Sequence, residues 1–196
     1  MQFLASFRRF PRLLFPLGIL LILGACAGRP GPEVLKVVSA KSAGTQEVTL
    51  YAATTRTKDE GNDNGFSVGR ADDLNYTKYT ISIPPAHKAS TIEWPKGAPN
   101  AKTDFVVTSQ STLTAPVFDK DVATQQMRHR PVAIFVHGYN YTFQESLFRL
   151  AQMAADAKMA VVPILFAWPS QGALTGYVAD RESVLYSRDY LASLLV

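Results

Sequence analysis

The chain has 196 residues, of which 47% are hydrophobic, 11% aromatic and 18% charged. That is enough apolar material for one ordinary globular domain and too much for a disordered chain. The formal net charge of +4 sits mainly in the first 25 residues, which hold Arg8, Arg9 and Arg12 and no acid; the 20 Lys and Arg less these three leave 17 against 16 Asp and Glu. The remainder therefore lacks the clustered cations of a nucleic-acid surface. A single cysteine excludes both a disulfide framework and a cysteine-rich zinc site.

From the N-terminus, the three arginines precede an apolar run over residues 13–23. A spanning helix needs about 20 apolar residues, so this run, interrupted by Pro16 and Gly18, reads as a secretory signal. It ends in Leu23-Gly24-Ala25-Cys26. The segment resembles the lipobox of bacterial lipoproteins, in which small residues precede a cysteine that becomes the acylated first residue of the mature chain. The resemblance implies a signal peptide over residues 1–25, a lipid on Cys26 and a membrane as partner. Each buried methylene contributes roughly 0.8 kcal/mol and one chain anchors only marginally, so such lipoproteins carry several. Ala27 stands where an inner-membrane retention signal often has Asp, which by resemblance favours the periplasmic face of the outer membrane. The other reading is an ordinary signal peptide with a chance cysteine.

Residues 26–46 begin with a Gly/Pro stretch, Gly28 to Pro32, and read as a tether that spaces the domain from the membrane. Residues 47–196 form the domain. A first strand is expected over residues 48–54, rich in β-branched side chains, and a turn-rich polar loop over 58–65. Tyr79, Ile81 and Ile83 alternate with Thr80 and Ser82 as a half-buried strand stopped by Pro84-Pro85. A short extended piece is expected over 105–108 and a helix over 114–127, with Pro116 near its first turn.

The pattern sharpens from Val132–Val136, a continuous apolar run of the kind a strand buried on both faces shows. It runs straight into His137-Gly138-Tyr139-Asn140. Thr142 offers an N-cap and Glu145 completes a capping box. Phe143, Leu147, Leu150, Ala151 and Ala154 follow at helical spacing, predicting a helix to about Lys158. Residues 161–168 read as a second buried strand with Pro163 near its start, residues 169–172 as a turn, and residues from about Asp180 to the end as a helix with Val184, Leu191 and Leu195 on one face. Strand, helix, strand, helix in units of this length predicts an α/β fold with parallel strands.

A buried strand ending in His-Gly and followed by a capped helix resembles the oxyanion-hole segment of the α/β-hydrolases. The stretches VAIFVHGYNYTFQESLFRLAQMA, LFAWPSQG and DRES are similar to a poorly characterised group of bacterial hydrolases of that superfamily, many of them lipoproteins. In that fold the loop between the third strand and the first helix donates a backbone N–H to the developing oxyanion. Carried over, the donor is the Tyr139 amide, His137 and Gly138 shape the loop, and Asn140 lies beside it. Gly138 is expected to let the backbone turn without a Cβ clash. The resemblance implies a small ester or acyl substrate and no cofactor.

The same fold carries its triad in the order Ser, Asp or Glu, then His, with the serine in a G-x-S-x-G elbow. After Gly138 there is no such elbow, and after His137 no histidine. The expectation is therefore the N-terminal part of an α/β-hydrolase-type sheet with flanking helices. The alternative is a non-catalytic envelope lipoprotein with a degenerate hydrolase-like domain. Gly65-Phe66-Ser67-Val68-Gly69 matches the five letters but lies upstream, in the expected polar loop, with no buried strand before it. Trp168 and Ser170, at the carboxyl end of the second strand, are pocket candidates; a plain turn serine is the other reading of Ser170. The acids of Asp180-Arg181-Glu182 suit the first turn of a helix, or form a wall of the cleft. His87, His129 and His137 have no metal-ligand spacing, and no metal is expected.

Overall fold

The computed structural model describes residues 28–39, 43–61 and 65–196; the expected signal peptide, residues 1–25, and Cys26 lie outside the described residues. Among the described residues, three α-helices and one five-stranded mixed sheet organise the domain. In chain order these are β1 (Gln46–Lys58), β2 (Phe66–Ile83), β3 (Val106–Leu113), α1 (Ala115–Met127), β4 (Val132–Val136), α2 (Phe143–Asp156), β5 (Val162–Ala167) and α3 (Tyr177–Leu194). The sheet order is β3-β2-β1-β5-β4. β1 is antiparallel to β2, and β2 to β3, whereas β1 and β4 both run parallel to β5.

β1 and β2 are longer than the expected strands and form one extended hairpin, paired from Gln46↔Ile83 out to Lys58↔Phe66. Its outer half carries Arg70, Asp72 and Asp73 on half-exposed backbone, which is why it resembles loop in composition. The G-x-S-x-G segment opens β2. There Ser67 Oγ lies 2.6 Å from Thr57 Oγ1 and accepts from the Gly69 N–H at 3.0 Å. Ser67 is thus a strand residue bonded across a hairpin, not the apex of a strand-to-helix turn.

β5 is buried along its whole length between β1 and β4. Pro163 occupies its second position, near the start as a residue without an N–H requires. β4 departs from expectation: it is half-exposed, and Val136 is exposed. Its continuous apolar run does not mean burial on both faces, because it is an edge strand paired with β5 alone among the described residues.

One face of the sheet is covered by α2, whose Phe143, Leu147, Phe148, Leu150 and Ala151 join Leu50, Tyr79, Ile81 and Phe105 in the main core. Phe148 is clamped by Trp94, ring centroids 4.9 Å apart. The other face carries a smaller cluster in which Tyr51 and Phe118 of α1 meet edge-on at 5.7 Å beside Val162 and Ile164. α2 starts where the sequence says. Thr142 Oγ1 accepts from the Glu145 N–H at 3.3 Å, and Glu145 Oε2 from the Thr142 N–H at 2.9 Å. Two of the free N–H groups of the first turn are thereby satisfied.

Two further expectations change. α3 begins at Tyr177, after a short 3-10 turn over Leu174–Gly176, and turns a polar face inward. Its buried residues are Asp180, Ser183 and Ser187, while Val184 and Leu195, expected with Leu191 on one apolar face, are exposed. Hydroxyl pairing explains the reversal: Ser187 Oγ lies 2.7 Å from the buried Thr55 Oγ1, and Ser183 Oγ accepts from Arg70 at 3.3 Å. The stretch after Gly28 is likewise not a free spacer. Val34 and Leu35 enter the main core, the Val38 N–H donates to Val107 O at 2.8 Å, and Gln144 Nε2 to Pro30 O at 2.7 Å.

Candidate functional site

The carboxyl ends of β4 and β5 lie side by side, so the loops that follow them meet. Between them and α3 opens a cleft of about 420 Å³ lined by Val136, His137, Gly138, Tyr139, Trp168 and Tyr177, among others. His137 and Trp168 form its floor. The two rings stack at 4.8 Å with 21° between planes, and Trp168 Nε1 donates to His137 O at 2.9 Å. The buried imidazole has the Trp168 carbonyl 3.1 Å from Nε2 and the Gly138 carbonyl 2.9 Å from Nδ1. Burial, then the charge of Arg56, pushes its pKa down to about 4. At neutral pH the ring is uncharged, with one N–H to donate to one of these carbonyls. It therefore tethers the two loops and carries no mobile proton.

Gly138 does not turn the chain by the expected means. Its φ is not positive, and a Cβ built there would meet nothing within 4 Å. Asn140 takes the left-handed conformation instead, with φ +63°, a region asparagine tolerates better than most residues. What a bare Gly138 supplies is open space above the loop. The Tyr139 N–H donates to no acceptor among the described residues, while its hydroxyl donates to the carbonyl of Leu174 and lies 3.3 Å from that of Ala173. The loop is thus held by its side chain, with its amide unengaged.

Asn140 faces away from the cleft, into a constellation the sequence did not announce. Arg29 Nη1 donates to Asn140 Oδ1 at 2.8 Å and to Gly172 O at 2.5 Å; Nη2 donates to Asn140 O and to Glu145 Oε2, both at 2.5 Å; Nε donates to Glu145 Oε1 at 2.8 Å. One guanidinium thereby joins the loop after β4, the loop after β5 and the capping box of α2. Burial alone would raise the Glu145 carboxyl, but hydrogen bonds from Arg29 and Thr142 hold it below its ordinary pKa. Gly172 has φ +63°, and a Cβ there would meet the Thr142 methyl at 2.8 Å, so the loops touch only because this residue is glycine.

Ser170 is fully buried beneath the cleft. Its Oγ donates to Asp180 Oδ2 at 2.7 Å and accepts from the Gly172 N–H at 3.2 Å; Asp180 Oδ1 takes the Gln171 N–H at 2.7 Å. The serine is therefore a turn residue held by the carboxylate of α3, and Asp180 forms part of the cleft wall. Asp180 shares its surroundings with Arg56, a buried cation that donates to Tyr141 O and Ser67 O, each at 3.2 Å, and leaves Nε without a partner. Burial lowers the Arg56 pKa to about 10 against the pull of Asp180, so it stays charged. An arginine inside a β-branched strand was the one signal for this arrangement. Among the described residues no group of three or more His, Cys, Asp or Glu side chains is placed to hold a metal ion, and no helix is long and apolar enough to cross a membrane.

No curated protein and no solved structure gives a significant match to the chain. The model of one family, described as an alpha/beta hydrolase of unknown function (DUF900), matches residues 110–196. This segment carries every residue lining the cleft, and the mixed sheet it completes is consistent with the fold of the α/β-hydrolase superfamily.

Proposed function

We propose that this domain supplies the oxyanion-hole side of a lipid-anchored serine hydrolase of the bacterial cell envelope. The lipid is on Cys26, the location is the periplasmic face of the outer membrane, and the substrate is a small ester or other acyl compound. The carrying observation is the unengaged Tyr139 N–H on a loop pinned from three sides, by the His137 ring, the Tyr139 hydroxyl and Arg29. A donor fixed before reaction needs no reorganisation as charge develops on the carbonyl oxygen. The buried charge of Arg56 behind the loop favours the same anion. In this reaction a serine oxygen adds to the acyl carbon and its proton leaves with the alcohol. Water then cleaves the acyl-enzyme to the acid and restores the serine. In this reading none of the described residues serves as the nucleophile, the acid or the histidine.

Tyr139→Pro in the natural protein removes the donor and should lower turnover on the order of 10²–10³-fold; unchanged turnover in a folded variant overturns the assignment. A fluorophosphonate probe applied to source membranes separates catalysis from binding. Labelling marks an activated serine. Silence favours a non-catalytic envelope lipoprotein with the same domain.

A further inference from the structure

We propose that the exposed apolar rim of the cleft, built on Tyr139, Leu174, Tyr177, Val178, Val184 and Leu185, docks on a lipid bilayer. The proposal rests on the reading of Cys26 as the acylated residue. Three observations meet here. The first is the rim itself: Leu174 is 77% exposed, Tyr177 62% and Val178 75%, with Val184 and Leu185 also exposed. They are contiguous, since the Tyr139 and Tyr177 rings meet edge-on at 5.5 Å and the Tyr139 hydroxyl donates to Leu174 O. Exposed apolar clusters of this kind mark interaction surfaces.

The second is the reversed α3. With Asp180, Ser183 and Ser187 turned inward, the helix shows the outside an apolar stripe. Arg181, with 70% of its side chain exposed, is four residues from Tyr177 and from Leu185. Its Nε lies 3.8 Å from the Glu182 carboxylate. A helix face that sets tyrosine and aliphatic residues around a long cation suits an interface, where the aliphatic stem lies in the apolar layer and the guanidinium meets lipid phosphates.

The third is length. Arg29 is fixed on the two loops of the cleft, bonded to Asn140 beside Tyr139 and to Gly172 two residues before Leu174. Arg29 stands three positions after Cys26, and an extended chain covers at most about 11 Å in those three steps. A lipid on Cys26 therefore brings the bilayer to this end of the sheet, and the loops cannot stand far from it. The cleft then opens at the membrane surface.

A site-specific fluorophore tests the placement. With Cys26 acylated, Val178→Cys offers the one free thiol, and Met127→Cys, 76% exposed and just before the opposite end of β4, offers the control. Both proteins are labelled with a polarity-sensitive dye and reconstituted in vesicles of phosphatidylethanolamine and phosphatidylglycerol, and intact mass reports the acyl chains. Docking predicts a several-fold rise and a blue shift in emission at position 178 on vesicle addition, with none at 127. Aqueous emission at both positions in an acylated protein overturns the proposal and leaves the anchor standing. Apolar emission at 178 before vesicles are added overturns it in favour of a protein cover. An unacylated Cys26 overturns both this proposal and the anchor beneath it.

Discussion

Replacing His137 with glutamine removes a buried base whose folded pKa of about 4 lies well below the ordinary 6.5 of a histidine in an unfolded chain. Between these values the unfolded state binds a proton that the folded state refuses. The imidazole therefore contributes stability in full above about pH 6.5, and that contribution is lost as pH falls toward 4. A gap of about 2.5 pK units at 1.36 kcal/mol each corresponds to about 3 kcal/mol, with a slope approaching 1.4 kcal/mol per pH unit inside the window. The group is buried, so solvent screening does not reduce this much. Urea unfolding of parent and His137→Gln proteins, at intervals from about pH 8 to about pH 4, isolates the effect, because all other titrating groups are common to both. The variant should be less stable at neutral pH, and the gap should close by about 3 kcal/mol toward pH 4. Parallel curves would refute the assignment of His137 as a neutral, desolvated tie between the loops.

His87 has the opposite sign. Burial opposes its charge, but Glu93 at 2.7 Å and Asp156 at 2.8 Å outweigh that and raise its pKa. Its contribution is full below the unfolded value and is lost as pH rises through the folded one, so His87→Gln should cost more near pH 5 than near pH 8 in the same urea series. Thr142→Ala removes one arm of the capping box at α2 and should lower stability by about 0.5–2 kcal/mol, read by thermal denaturation. Gly172→Ala forces a Cβ onto the Thr142 methyl at positive φ and should cost about 1 kcal/mol or more, with faster hydrogen exchange in the loops after β4 and β5. Arg29→Ala should change global stability by no more than about 1 kcal/mol, since Arg29 is 44% exposed, yet raise exchange at residues 138–142 and 171–173. Exchange unaltered there would remove Arg29 from its place as the clamp.

The half of the chain from Val132 onward was legible because its signals are local. A five-residue apolar run, a Thr-x-x-Glu cap and apolar spacing of three and four over Phe143 to Ala154 each depend on neighbours in sequence. The first half showed only the inner parts of its two longest strands. A hairpin whose outer half is half-exposed gains little from alternation, and Arg70, Asp72 and Asn75 look like loop by composition. The site divides along the same line. His137, Tyr139 and Trp168 sit where a strand end puts them and line the cleft. The Arg29 clamp joins residues more than 100 positions apart, and nothing in a linear pattern reports such a distance. The inward face of α3 misled for a related reason. Serine and aspartate read as solvent-facing unless their partners, Thr55, Arg70 and Ser170, are known to be waiting beneath.

β4 has one further consequence. Its five residues contain no charged side chain and no proline, the usual means by which a protein blunts a strand whose outer N–H and C=O groups have no ladder. Such an edge is a template. It will take a sixth strand of suitable polarity, whether from the same polypeptide or from another molecule. A solution of this domain in which nothing fills that position should self-associate through main-chain pairing, increasingly so with concentration. A lysine placed at Ala133 or Phe135 should hold it apart.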